Sequence, residues 1–339
     1  MTDIFRVVAP SNIAFLKYWG KKDPVLQWPA NDSLSMSLNQ LSTRTSAFVH
    51  DADDHIFQFQ GEALPRDHAS FSKVFKHLDS LAGSFGFPEK LSLSSSNSFP
   101  TGAGIASSAS GLAALTIAAI ACWTGSSTFF ELEAKGFSRE HLAHLARLGS
   151  GSAGRSLFGG YVQWQAGSHA DKQKILPLYA AAHWTLHDTV VLFSHSEKSK
   201  SSTAAHGDAW SSLLFRPRIA GAPERMNAIL KALDERKMAE LGPLLETEAL
   251  EMHAVMLTTR PPQYYLTDES VEFLAAFRRA RQEVCFEAYF TIDAGPNIHI
   301  IHEASASSAL TSWLQEHYPT LQLLHDRVGE GPWLERGLN

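Results

Sequence analysis

The run Pro100-Thr-Gly-Ala-Gly-Ile-Ala-Ser-Ser-Ala-Ser-Gly111 leads without a break into Leu-Ala-Ala-Leu-Thr-Ile-Ala-Ala-Ile-Ala-Cys122, and it constrains the chain more than any other stretch. Small residues let backbone amides approach an anion closely. Ser107, Ser108 and Ser110 add hydroxyls, and the apolar segment supplies a helix whose positive end points back at the loop. The segment reads as a phosphate cradle. It is not a Walker A loop, because no Gly-Lys-Ser/Thr string occurs, and a dinucleotide fingerprint fails where Ser107 replaces its third glycine. Taken alone, the string equally suits a buried helix that begins at a serine-rich turn.

A chain of 339 residues exceeds what one hydrophobic core usually supports, so two domains are expected, over residues 1–185 and 186–339. Strands interleaved with helices in no regular alternation predict an α+β fold. Hydrophobic content of 44% and charged content of 19% describe an ordinary globular protein. With 29 Lys and Arg against 35 Asp and Glu and no long basic run, nucleic acid is not an expected partner, although local cations can hold a small anion. Cys122 and Cys285 are far apart and form no Cys-x-x-Cys pair, and the first residues carry no charged-then-apolar leader. Both features lead to an expected cytoplasmic location. The apolar stretch Gly111 to Thr124 is shorter than the roughly twenty residues of a membrane span and is expected to be a core helix, with no membrane partner.

Periodicity predicts strands at Phe5 to Ala9, Leu91 to Ser95, Tyr161 to Trp164, Val190 to Phe193, Val284 to Ile292 and Ile298 to Ile301. A hairpin is expected from Arg44 to His50 and His55 to Phe59 around Asp51-Ala-Asp-Asp54, and helices over Asp67 to Gly86, Arg139 to Leu148 and onward from about Ala306.

Three further segments carry chemistry. Asn12, Lys17, Tyr18, Trp19, Lys21 and Lys22 cluster in one short stretch that suits a polyanion, or equally an exposed basic turn with two aromatics packed inward. Gly149-Ser-Gly-Ser-Ala-Gly-Arg155-Ser156 contains Gly-x-Gly-x-x-Gly by letter, but it follows a helical pattern rather than a strand. It therefore reads as a small-residue turn presenting amides, Ser150, Ser152 and the planar fork of Arg155. Asp293 opens Asp-Ala-Gly-Pro-Asn297, a string that is also an ordinary turn. His141 with His144, and His299 with His302, suggest metal ligation. Three-residue spacing along a strand, however, places the second pair on opposite faces, and no third ligand is evident.

Together these strings resemble the mevalonate diphosphate decarboxylase family of the GHMP kinase superfamily. The resemblance spans residues 9 to about 302 and includes Asn12 to Ala14, Lys17 to Lys21, Pro100 to Ser108, Gly149 to Ser156, Met252-His-Ala254, Pro261 to Asp268 and Asp293 to Asn297. It implies a two-domain α+β GHMP kinase fold with the active site in the cleft between domains. It also implies ATP and Mg2+ as cofactors, mevalonate 5-diphosphate as the anionic substrate, and a homodimer. Family chemistry phosphorylates the tertiary 3-hydroxyl, after which phosphate and carbon dioxide leave.

Carried over by position, Asp293 matches the carboxylate at the 3-hydroxyl, Lys17 the lysine beside it, and Arg155 and Asn12 the groups holding the C1 carboxylate. Tyr18, Lys21, Ser150, Ser152 and Ser202 match diphosphate contacts, and Asn97, Gly102, Ala103, Gly104, Ser107 and Ser108 the nucleotide site. No dedicated metal ligand is implied. Gly102, Gly154 and Ala30-Asn31-Asp32 depart from the usual pattern, and Thr203 follows Ser202 as in eukaryotic-type members. The alternatives are a mevalonate 5-phosphate decarboxylase, a kinase that stops at C3 phosphorylation, and a non-catalytic nucleotide-binding protein of the same fold.

Overall fold

The computed structural model describes residues 3–100, 105–193, 202–284 and 286–338, excepting the side chains of residues 202–204. Gly102, Ala103, Gly104 and Cys285 lie outside the described residues, as does the side chain of Ser202. In chain order the elements are β1 (Asp3–Leu16), β2 (Lys21–Asp23), β3 (Trp28–Pro29), β4 (Ser33–His50), β5 (Ile56–Phe59), β6 (Glu62–Leu64), α1 (Ser72–Phe85), β7 (Lys90–Asn97), α2 (Ser107–Thr124), α3 (Phe129–Ala134), α4 (Arg139–Gly149), β8 (Tyr161–Gln165), β9 (Lys174–Tyr179) and β10 (His187–Leu192). They continue with α5 (Ser202–Asp208), α6 (Phe215–Glu235), α7 (Met238–Leu257), α8 (Asp268–Val284), β11 (Ala288–Thr291), β12 (Ile298–His302), α9 (Ser307–His317), β13 (Gln322–Arg327) and β14 (Trp333–Leu338).

Two large sheets and a short β2–β3 pair organise the described residues as an α+β fold. The larger runs β14-β1-β4-β7-β5-β6, with β8 on β4 and β9 on β8, and its β5–β7 pair is parallel. The smaller, β11-β12-β10-β13, is antiparallel throughout. Strand β1 links the two cores. Its Phe5, Val7 and Ala9 pack in the first, while Ile13, Phe15 and Leu16 pack in the second, and register shifts at Pro10/Asn12 and Ala14/Leu16 let the strand bend between them.

Helix α2 is buried on every side from Leu112 to Cys122, which fits its lack of a polar stripe. By length and composition it is apolar enough to cross a membrane, yet it packs against β1 and β4 in the first core. Gly125, at φ +65°, closes it by donating its N–H to the carbonyls of Ala121 and Cys122. Helix α1 buries Val74, Phe75, Leu78 and Leu81 along one stripe. Asp326 on β13 ties the smaller sheet to the larger, because its carboxylate accepts the backbone N–H groups of Asn39, Gln40 and Leu41 in the middle of β4.

Three expectations need correction, and two strands are added. β4 and β5 do not form a hairpin: β7, from later in the chain, lies between them, pairing antiparallel with β4 and parallel with β5. The segment from Val284 is not one strand, since α8 runs through Val284 and β11 begins at Ala288. The α1 helix starts at Ser72 rather than Asp67, because Pro65 to Phe71 form turns, with His68 and Phe71 donating to the carbonyls of Pro65 and His68. Strands β13 and β14 were not foreseen, and β14 pairs with β1 along its first half.

Candidate active site

Strand β1 delivers Asn12 within its bulged middle and Lys17 just past its end. Lys17 is fully buried and so stands apart from the exposed turn that carries Lys22. Its backbone is gripped at both ends: the N–H donates to Glu248 Oε1 at 3.0 Å, and the carbonyl accepts from Asn31 Nδ2 at 3.2 Å and from an Arg218 guanidinium nitrogen at 3.4 Å. Glu248 on α7 is itself wholly buried and ion-paired with Arg218 and Arg225 of α6. The Lys17 ammonium lies 2.7 Å from Asp293 Oδ1. Burial lowers the Lys17 pKa from its ordinary value, opposed by the neighbouring carboxylate of Asp293.

Asp293 sits in the tight turn between β11 and β12. Gly295 N–H and His253 Nε2 donate to its carbonyl at 2.8 and 3.1 Å, and Asn297 Oδ1 accepts the N–H of Phe193 at 2.7 Å. α7 and the residue just past β10 therefore anchor the turn that carries the carboxylate.

Arg155 projects from a short helical turn over Gly151–Leu157. Its guanidinium donates to Asn12 Oδ1 through Nε and a terminal nitrogen at 3.4 and 3.2 Å, and to Ser33 Oγ, while Asn12 Nδ2 donates to Ser156 Oγ at 2.8 Å. Asn12 thus stands one layer behind Arg155 and orients it. Burial pushes the Arg155 pKa down to about 10, with Asp293 and Tyr18 opposing, so it stays cationic at neutral pH. Glycine at 154 is sterically required: a Cβ there would lie 2.2 Å from Ile175 Cδ1 and 2.9 Å from the Ala143 carbonyl oxygen.

These groups open onto one cavity of about 710 Å³, whose wall includes Lys17, Tyr18, Lys21, Arg155 and Asp293. Ser107 and Ser108, in the first turn of α2, face the same space as Ser150 and Ser152, and Ser150 Oγ lies 3.3 Å from Ser108 Oγ. Asn97 also lines it, its Oδ1 accepting from Thr43 Oγ1 at 2.7 Å. Tyr18 packs against the rings of Trp164 and His206, at centroid distances of 4.7 and 4.3 Å, and burial raises the pKa of its phenol.

Two cavity residues escaped the sequence reading. Lys73, at the start of α1, faces Lys21; burial and then Lys73 lower the Lys21 pKa to about 8, and burial lowers that of Lys73. Among the described residues neither lysine makes an ion pair, so together they form a positive pair suited to a polyphosphate. The second is His206 on α5.

The donor set fits ATP and Mg2+. The start of α2 presents amides and hydroxyls to an anion, and Phe57, Phe59 and Phe71 line an adjoining aromatic slot. Among the described residues no group of three His, Cys, Asp or Glu could hold a metal ion. Ser107 and Ser108 hydroxyls with phosphate oxygens are the hard oxygen donors such an ion takes. His299 and His302 engage different neighbours, Asp188 at 2.7 Å and Thr189 at 3.1 Å.

Comparison with known proteins gives the family. The diphosphomevalonate decarboxylase-like N-terminal domain matches residues 9–177, and the mevalonate 5-diphosphate decarboxylase C-terminal domain matches residues 189–332. Diphosphomevalonate decarboxylase of Candida albicans is 35% identical over 92% of this chain and 88% of its own length, and that of Danio rerio 33% identical over 85% and 73%. A solved structure of MDDEF in complex with MVAPP, AMPPCP and magnesium superposes with a TM-score of 0.89 at 29% identity, covering 99% of this chain and 100% of that one. The mevalonate diphosphate decarboxylase of Staphylococcus aureus gives a TM-score of 0.88 at 29% identity, covering 98% of each chain. With both halves of the sequence matched and the fold shared end to end, the chain belongs to the diphosphomevalonate decarboxylase family of GHMP-fold enzymes.

Proposed function

We propose that this protein catalyses the ATP-dependent decarboxylation of mevalonate 5-diphosphate to isopentenyl diphosphate, releasing ADP, phosphate and carbon dioxide. The observation that carries the reading is the Lys17–Asp293 pair, 2.7 Å apart in the same cavity as Arg155 and the serine turn of α2. ATP with Mg2+ supplies the phosphoryl group that turns a tertiary hydroxyl into a leaving group.

The chain's residues do the rest. Asp293 orients the 3-hydroxyl and takes its proton, and Lys17 keeps that carboxylate ionised and stabilises charge at the transferring phosphoryl group. Arg155 holds the substrate carboxylate through its planar fork, with Asn12 as its positioning residue. Tyr18, Lys21, Ser150 and Ser152 hold the substrate diphosphate. Lys73 joins Ser107, Ser108 and Asn97 around the nucleotide. Ser202 is retained as a diphosphate contact by its place in the family string. A tertiary alcohol is a hindered nucleophile, so alignment in a water-poor cleft supplies much of the rate.

Carbon dioxide release measured with mevalonate 5-diphosphate and mevalonate 5-phosphate, with and without ATP, tests the reading. Strong preference for the diphosphate supports it, preference for the monophosphate reverses the substrate assignment, and ADP without carbon dioxide identifies a C3 kinase. We also propose that the protein acts in the cytoplasm as a homodimer. The buried free thiol of Cys122 suits a reducing compartment, and the dimer follows from the family resemblance. Light scattering of the purified protein and imaging of a tagged copy test both.

A further inference from the structure

His206 stands on α5, a segment clamped against the start of the chain. Trp210 Nε1 donates to the Lys21 carbonyl at 2.7 Å, and Gln263 Nε2 donates to the Ala205 carbonyl at 3.3 Å and to Asp208 Oδ2 at 2.9 Å. The His206 ring packs against Tyr18 and Trp19, with centroids 4.3 and 4.4 Å away. Gly20 N–H donates to its Nδ1 at 3.0 Å. That approach needs a bare backbone, because Gly20 has φ +79° and a Cβ there would lie 2.2 Å from the Phe215 ring.

An N–H donor directed at Nδ1 requires a lone pair there, so the neutral ring carries its proton on Nε2. Burial and the cations of Lys21 and Arg218 hold the pKa well below the ordinary histidine value, which keeps this tautomer uncharged at neutral pH. Among the described residues Nε2 has no hydrogen-bond partner, and the ring lines the large cavity beside Lys21 and Tyr18. A ring in this state is a fixed, uncharged donor and cannot serve as a base.

We infer that His206 donates Nε2–H to a phosphate oxygen at the diphosphate end of the substrate, acting as a binding and specificity residue. The inference rests on the decarboxylase reading above. Such a donor adds recognition of the phosphate oxygens without adding a further positive charge beside Lys21.

The test separates the two ring nitrogens. In His206→Asn the side-chain oxygen replaces Nδ1 as acceptor for Gly20 but cannot reach the Nε2 position; in His206→Gln the amide nitrogen approximates Nε2. A hydrogen bond to a charged group corresponds to roughly 10- to 100-fold in affinity. The expected result for His206→Asn is a rise of that order in KM for mevalonate 5-diphosphate, exceeding any fall in kcat, with KM for ATP unmoved and partial recovery in His206→Gln. In 15N imidazole spectra of the wild-type protein, mevalonate 5-diphosphate and inorganic pyrophosphate should each shift the protonated Nε2 signal.

Equal rises in both KM values, an unchanged KM in a folded His206→Asn protein, or an unmoved Nε2 signal at saturation would overturn the inference. Wild-type turnover reports on the decarboxylase reading separately, and the pyrophosphate titration reads the contact even if turnover is absent.

Discussion

Replacing Asp293 with asparagine separates catalysis from stability. The substitution keeps size and hydrogen bonding but removes the group assigned to take the hydroxyl proton, a role worth about 10²- to 10⁴-fold in rate, or about 3–5 kcal/mol of barrier. It also strips the counter-charge from Lys17, whose side chain is 1% exposed while that of Asp293 is 25% exposed. Breaking a fully buried pair costs about 3–5 kcal/mol. Solvent at the Asp293 end screens part of that, leaving an expected loss of about 1–3 kcal/mol. Lys17→Met makes the opposite cut: it removes the buried charge and leaves a carboxylate that water can reach, so it should lower turnover with a smaller loss of stability. Carbon dioxide and ADP release at saturating substrates, with urea unfolding of both variants, provide the measurements. Asp293→Asn turnover within tenfold of wild type, or a larger destabilisation by Lys17→Met, would refute the reasoning.

Three other outcomes are expected. Asn12→Ala deprives the buried Arg155 guanidinium of an acceptor, so KM for mevalonate 5-diphosphate should rise about tenfold and unfolding free energy fall by about 1–3 kcal/mol, read by steady-state kinetics and denaturation. Lys21, with a pKa near 8, is cationic below that value and neutral above it. Anion affinity should therefore fall as pH rises through about 8, and a pH profile of kcat/KM in Lys21→Met should lose that inflection. Glu248→Gln leaves Arg218 buried without its carboxylate while Arg225 can still pair with Glu251 at 3.1 Å; urea titration should show a loss of about 3–5 kcal/mol.

The sequence revealed local features better than distant meetings. The α2 helix could be read from its unbroken run of small apolar residues, and the Asp293 turn from Asp-Ala-Gly-Pro-Asn, because both patterns are written in neighbouring residues. The failed hairpin shows the limit: Asp51 to Asp54 is a credible turn, but Leu91 and Leu93 on β7 occupy the space beside β4, and no local signal records that insertion. Lys17 was found by its string, yet its burial depends on Glu248, 231 positions away. Glu248, Arg218 and His206 sit in sequence that reads as ordinary amphipathic helix, so only packing discloses them. Lys73 falls inside the helix expected from Asp67 to Gly86, where a lysine is an ordinary residue of the polar face.

Because β14 lies antiparallel on β1 with Leu338 opposite Asp3, two strands more than three hundred positions apart are side-by-side neighbours in one sheet. The larger sheet is therefore closed by a segment made last, and the cavity residues carried on β1 wait for β14 before their strand is paired on both sides.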